Sequence, residues 1–355
     1  MIEAHTLDAW TRAPDRGSVA FRNATILAGF AAPMFLWLAG VAVVLACART
    51  SAKTGSRAAA LEAITRRGLE IFILAFLFRL QAFIVSPGSH PITIFRVDIL
   101  NIMGPAIVAS GIVWWSATSA RWQAVIFGLL AWAIAMATPV VREAAFVNAL
   151  PTWVQWHIRP AGDQTTFTAF PWVGFVFAGG ACGAFIAAAR DLVEERRAHL
   201  CLALAGVALI AVGFYTATLP TIYGKASFWT SSPTWFVIRV GVLMLALSAA
   251  FAVERLAASG NARAAAGPPG LVAPWQSVLG TLGRHSLLVY WIHVELVYGY
   301  ASWLWRGRLP LWGTAVGWLA FTGLMYWLVI VSESVRDRRR IGAGNRRWTP
   351  AARRA

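Results

Sequence analysis

TAFPWVGFVFAGGACGAFIAAA, residues 168–189, decides the fold. No charged side chain occurs between Thr168 and Ala189. A helix needs about 20 mostly apolar residues to cross the hydrocarbon core of a bilayer, and this run has that length. Its small residues at 174, 178, 179, 180 and 183 leave room for a neighbouring helix to approach closely. Gly40 and Pro33 in GFAAPMFLWLAGVAV (29–43) read the same way.

Eight further runs are mostly apolar, several of them amphipathic or carrying a charge, at about 24–47, 68–86, 95–117, 122–141, 199–219, 234–254, 275–300 and 311–334. The expected fold is therefore all-α, a polytopic transmembrane helical bundle of about nine spans. Composition agrees. The 355 residues are 58% hydrophobic and 13% charged, with mean hydropathy +0.62. A soluble domain carries about 45–50% apolar and about 25% charged residues, because its surface must face water. Nineteen Trp and twenty Phe suit interfacial aromatic belts.

The net charge of +16 does not imply a nucleic-acid partner, since no basic soluble domain is present. The arginines fall where membrane topology wants them. The 48–67 loop holds Arg49, Lys53, Arg57, Arg66 and Arg67 against Glu62, and the 190–198 loop holds Arg190, Arg196 and Arg197. The 255–273 loop holds Arg255 and Arg263, and the tail 336–355 has eight arginines and one acid. With alternating spans all four lie on one side, which the positive-inside rule makes cytoplasmic. The localisation expected is the inner membrane, multi-pass, with the C-terminus cytoplasmic. Nine spans then put the N-terminus outside. The simplest repair is a further helix ahead of Met1, with MIEAHTLDAW as its outer end. The alternative is a true nine-span protein with a short translocated tail. A longer open reading frame upstream of Met1 would favour the first.

Charged groups inside spans are costly and face a cavity or a partner. Glu70 and Arg79, Arg96 and Asp98, Arg239, His293 and Glu295, and Glu333 are in or at the ends of spans. Arg79, Arg96, Asp98, Arg239, His293 and Glu295 lie in the outer half by this topology, and with His5, Asp8, His90, His157 and Asp163 they gather toward the non-cytoplasmic face, as an outward-opening cavity for a polar substrate would need, whereas Glu333 is at the cytoplasmic end of the ninth run. The competing reading is interhelical salt bridges, such as Arg79 or Arg96 with Asp98. His5 has Asp8 three residues on, so both share a helix face and the carboxylate can orient the imidazole. A histidine is suited to proton transfer near neutral pH. His293 is the second such candidate, although an intramembrane histidine can also serve packing. His199 and His285 mark interfaces. Cys47, Cys182 and Cys201 show no metal or redox spacing, and no metal is expected. No P-loop, HExxH motif or nucleophile elbow occurs, which excludes ATPases, zinc proteases and serine hydrolases of familiar type.

Five segments in one order carry a resemblance. They are GFAAPMFLWLAGVAV, RRGLEIFILAFLFRLQ (66–81), FRVDILNIMGPAIV (95–108), TAFPWVGFVFAGGACGAF (168–185) and LGRHSLLVYWIHVELVYG (282–299). Together the chain resembles the transmembrane acyltransferases of the heparan-alpha-glucosaminide N-acetyltransferase type, from about residue 1 to 334. The resemblance implies ten or eleven spans and transfer of an acetyl group from acetyl-CoA to a sugar or glycan hydroxyl or amine at the other face. It implies one membrane-embedded domain over 1–335, with 336–355 as an Arg-rich cytoplasmic tail. The first helix of relatives begins with Arg-x-x-x-Leu-Asp-x-x-Arg-Gly and ends near a histidine. This chain lacks that beginning and has His5 at the place of the helix end, which also points to a helix ahead of Met1.

On this resemblance His5, aided by Asp8, is the expected base or acyl carrier, with His293 as the second base. Arg79, Arg96, Asp98 and His157 would line the acceptor or thioester end. Arg66, Arg67, Arg121 and Arg284 would meet the CoA phosphates, unless they only set topology. Expected partners are the lipid bilayer, acyl-CoA and a sugar acceptor, with no nucleic acid and with homodimerisation open. Two other readings remain: a secondary transporter of a small polar solute, and an inactive, N-terminally truncated member of the family.

Overall fold

Inside a bilayer every backbone N–H and C=O must be satisfied by the protein, and a helix does this within one segment. The computed structural model describes residues 1–85, 90–264 and 274–346, with side chains for 1–84, 90–258 and 278–336. It is all-α. The helices are α1 (Ile2–Trp10), α2 (Val19–Ala28), α3 (Ala31–Thr54), α4 (Arg57–Val85), α5 (Ile99–Ser116), α6 (Ala120–Glu143) and α7 (Thr152–Ile158). There follow α8 (Ala169–Ala187), α9 (Leu192–Ala217), α10 (Pro233–Ala264), α11 (Pro274–Arg284), α12 (Ser286–Tyr298) and α13 (Leu311–Arg346). Among the described residues there is no named strand, only the isolated bridges Thr11–Leu309 and Val97–Thr165.

Seven helical stretches among the described residues are long and apolar enough to cross a membrane: Val19–Thr54, Ile99–Ser116, Ala120–Glu143, Ala169–Ala187, Leu192–Ala217, Pro233–Ala258 and Leu311–Arg336. They coincide with seven of the nine runs expected from sequence. Large apolar side chains stand exposed along them, as at Leu204, Val207, Phe214, Leu129 and Trp312. Such a surface belongs in lipid, and the chain is a multi-pass membrane protein.

The two remaining runs differ from expectation. The 68–86 run is the second half of α4, a helix of 29 residues, about 43 Å long at 1.5 Å per residue. Its first half takes in the charged segment expected as a loop, which shrinks to Gly55 and Ser56. Residues 57–67 are rich in Ala, Leu, Glu and Arg, all good helix formers, and Gly55 takes the left-handed φ of 68° that closes α3. The 275–300 run breaks at His285, whose φ and ψ of −105° and 21° leave the helical region. It therefore forms α11 and the 13-residue α12, about 20 Å long and shorter than a full span. Residue 86 of the expected 68–86 run, 87–89 of the expected 87–94 loop, 265–273 of the expected 255–273 loop, and 347–355 of the tail lie outside the described residues.

Contacts divide the chain into two compact units, Phe30–Ser259 and Met1–Gly29 with Gly260–Ala355. In the first, α3 packs on α8, and α6 covers α8 from another side. Glycine permits this contact. A Cβ on Gly40 would lie 1.9 Å from the Val176 carbonyl oxygen, and one on Gly179 would lie 1.8 Å from that of Trp37. The same logic joins α4 to α5 through Gly68 and Gly104, and α9 to α10 through Gly206 and Gly241. The C-terminus of α5 is closed by side chains. Arg57 donates to the carbonyls of Trp114 (2.6 Å) and Ala117 (2.7 Å) and stacks on the Trp114 ring at 4.1 Å. Gln123 donates to the same two oxygens. These cations and amides satisfy the carbonyls that a helix end leaves unpaired.

In the second unit, Ala9 and Trp10 of α1, Val289 and Val297 of α12, and Phe321, Met325 and Val329 of α13 form one apolar cluster. Trp10 meets Trp305 and Phe321 edge-on, at 6.0 and 5.6 Å.

Candidate active site

The unit built from α1, α12 and α13 holds His5, His285 and His293. The C-terminal carbonyls of α1 are satisfied by the chain just before α13. Gly307 N–H donates to Ala9 O, and Leu309 N–H donates to Trp10 O, both at 2.9 Å. Arg16 donates to the carbonyls of Thr11 and Asp8. Asp15 then reaches the start of α13, accepting from Leu311 N–H at 2.8 Å and from Arg12 at 2.9 Å. Those bonds fix one end of α1, and Trp10 fixes its apolar face, so His5 and Asp8 are presented to α12.

The Leu311 N–H, and then the Arg12 guanidinium, hold the Asp15 carboxyl below the usual aspartate range. A carboxyl lowered on folding contributes stability above its unfolded value of about 4, and that contribution disappears as pH falls through the lower folded value. The thermal midpoint of the wild type is expected to fall more steeply than that of Asp15→Asn between about pH 5 and pH 2.5. Equal slopes would show that this anchor does not form.

His5 and His293 face each other with ring centroids 5.2 Å apart. His5 Nδ1 is 3.1 Å from the Tyr298 hydroxyl, which donates to Asp8 Oδ2 at 2.8 Å. Asp8 therefore reaches His5 through Tyr298 rather than across the helix face that α1 spacing suggested. His293 is fully buried at 0% exposure. Its Nδ1 lies 2.7 Å from Val289 O. A carbonyl only accepts, so Nδ1 carries the proton and Nε2 the lone pair. That Nε2 is buried and has no hydrogen-bond partner among the described groups. An orphaned buried acceptor is costly and uncommon, and functional sites are one place where the cost is kept. Tyr290 meets His293 edge-on at 5.8 Å. Nearby, His285 Nε2 lies 2.7 Å from Glu333 Oε1, tying the start of α12 to α13.

The other expected site residues lie in the α3–α10 unit, except Arg284. Arg79 and Asp98 are brought together as an ion pair, with side chains 15% and 10% exposed. Asp98 also caps α5, its backbone N–H accepted by Asn101 Oδ1 at 2.9 Å in a capping box. Arg96 donates to Thr166 Oγ1 at 3.3 Å, beside the Val97–Thr165 bridge. His157 bonds its own helix, with Nδ1 2.9 Å from Trp153 O. Arg239 is buried between aromatic faces, 4.0 Å from the Trp235 centroid and 5.0 Å from that of Phe30.

Of the cations expected to meet phosphate, Arg66 and Arg67 share Glu70 at 3.2 and 3.4 Å on α4. Arg121 is exposed near the start of α6. Arg284 is exposed at the end of α11 and donates to Thr281 Oγ1 at 3.1 Å. A groove of about 580 Å³ runs along α4, lined by Leu61, Arg66, Leu69, Glu70, Ile73 and Trp115 among others.

Sequence reading missed Tyr298 and Tyr290. Tyr290 is three residues before His293 and could have been found from helical spacing. Nothing in the sequence ties position 298 to positions 5 and 8.

The family model described as heparan-alpha-glucosaminide N-acetyltransferase, catalytic, matches residues 15–220, more than half of the chain. The matched stretch begins after α1 and ends before α12, so the histidine cluster lies outside it. No curated protein and no solved structure matches the chain.

Proposed function

The chain belongs to the heparan-alpha-glucosaminide N-acetyltransferase catalytic-domain family, and from that premise we propose that it moves an acetyl group from acetyl-CoA to a hydroxyl or amine of a sugar. In this reading the donor is cytoplasmic and the acceptor is at the outer face. The observation that supports the chemistry is the pair of imidazoles, with His293 Nε2 left unpaired in a buried site.

The acetyl thioester supplies an activated carbonyl. His5 takes the proton of the acceptor O–H or N–H, and the oxygen or nitrogen bonds to the carbonyl carbon. The carbon–sulfur bond breaks and the sulfur leaves with its electron pair. The proton held by the imidazole then passes to that thiolate, which regenerates the neutral base. His293 Nε2 sits beside this centre as an acceptor for a second donor on the substrate. Burial strengthens both interactions, because no water competes for them. Arg66, Arg67, Arg121 and Arg284 remain the cations offered to the CoA phosphates. Arg79, Arg96, Asp98 and His157 remain the residues offered to the acceptor, with Arg79 and Asp98 acting as one paired unit.

The competing carrier reading makes a different demand on CoA. In detergent, CoA and acetyl-CoA are expected to raise the thermal midpoint of the purified protein, by mass action on the folded state. Membranes containing the protein are expected to transfer radiolabelled acetyl from acetyl-CoA to a glucosamine-type acceptor. Solute accumulation in vesicles without CoA, together with no stabilisation by CoA, would replace the enzyme with a carrier.

A further inference from the structure

We infer that Tyr298 is a positioning residue, whose hydroxyl fixes the tautomer of His5 so that the basic lone pair is on Nε2. The hydroxyl has one proton. It is spent on Asp8 Oδ2 at 2.8 Å, and a carboxylate can only accept. The contact with His5 Nδ1 at 3.1 Å therefore requires Nδ1–H to donate to the Tyr298 oxygen. The proton on His5 is thereby placed at Nδ1 and the lone pair at Nε2. Asp8, Tyr298 and His5 form a one-directional chain of hydrogen bonds that begins on α1, crosses to α12 and returns to α1.

The relay is held in place at both ends. Tyr298 O accepts from Arg306 Nη1 at 3.2 Å, and its ring meets His5 edge-on at 5.4 Å and 81°. The Asp8 carbonyl accepts from Arg16. A neutral imidazole left to itself favours the opposite tautomer, with the proton on Nε2. The relay thus holds His5 in the less favoured form, and puts the Nε2 lone pairs of His5 and His293 in one site, that of His293 unpaired. A third group that orients the base by hydrogen bonding is the general logic of activated-histidine catalysis. Here the carboxylate acts at one remove through a phenol. The catalytic consequence rests on the acetyltransferase reading, whereas the tautomer assignment does not.

The experiment separates the two. With ring-15N-labelled histidine, and His5 assigned by its loss in His5→Gln, the wild type is expected to show a protonated Nδ1 and an unprotonated Nε2. Tyr298→Phe keeps the ring and its packing and removes only the hydroxyl. It is expected to move His5 to the Nε2–H form without lowering the thermal midpoint by more than a few degrees. In the transfer assay it is expected to lower kcat about 10²-fold, with KM for acetyl-CoA unchanged, since a wrong tautomer removes the base and not the binding site. An Nε2–H His5 in the wild type, or an unchanged tautomer in Tyr298→Phe, would overturn the inference. The expected 15N result with full transfer by His5→Ala would instead leave the tautomer assignment standing and remove the acetyltransfer mechanism.

Discussion

His5→Ala and His293→Ala are each expected to lower acetyl transfer by about 10²–10⁴-fold, the range over which a positioned proton-transfer group accelerates a reaction. The two substitutions remove different things. His5 bonds Tyr298, which donates to Asp8, so in the proposed mechanism its loss removes the base. His293 Nδ1 is held by a neutral backbone carbonyl, that of Val289, rather than by a relay to a carboxylate. Its loss removes an acceptor, and the effect is expected at the low end of the range. Because His293 is fully buried, alanine also leaves a cavity, so His293→Gln is the companion variant: it keeps much of the volume while replacing the ring. Transfer from labelled acetyl-CoA in membranes gives the rates, and detergent melting checks the fold. Undiminished transfer in both alanine variants would end the histidine mechanism. A loss confined to one of them would assign the base to that residue.

Gly179→Val is expected to abolish recovery of folded protein. A single Cβ at that position already falls 1.8 Å from Trp37 O, a backbone atom that cannot swing aside as a side chain can. The remedy would be to move α8 off α3. That separation would also undo the contacts of Gly40 with Val176 and of Gly183 with Val41. Overpacking of this kind costs about 3 kcal/mol or more, against a total stability of about 5–15 kcal/mol. Gly128 on α6 is the control, because nothing lies within 4 Å of its missing Cβ. Gly128→Ala is expected to be neutral or slightly stabilising through helix propensity. Size-exclusion profiles and melting of the two variants in one detergent would decide. A monodisperse Gly179→Val protein with a wild-type midpoint would mean that α3 and α8 are not in backbone contact.

The sequence by itself determined the class of the molecule. Apolar runs of about 20 residues cross lipid as helices, because unpaired backbone polar groups are too costly there, and seven such runs are helices of spanning length. The order of five short segments pointed to the acyltransferase family, and the match over residues 15–220 agrees. The small residues of 168–185 announced a close contact, but their partner, α3, followed only from the fold. Element boundaries were less legible. Charge marked 57–67 as a loop, yet its helix formers joined α4, and the apolar run 275–300 hid the break at His285.

Tertiary structure alone decided which groups meet at the candidate site. The spacing of His5 and Asp8 put both on one face of α1, and a direct pair was the reading that local geometry allowed. The tyrosine that connects them comes from residue 298, a distance in sequence that no helical periodicity can bridge. Arg79 and Asp98 show the same thing in the other unit: two charges that looked equally suited to a substrate and to each other are an ion pair. Periodicity and hydropathy act within one element, whereas the partner of a buried polar group is chosen when elements pack. The order of His5, Tyr298 and Asp8 along one hydrogen-bonded chain was therefore absent from the sequence and present in the fold.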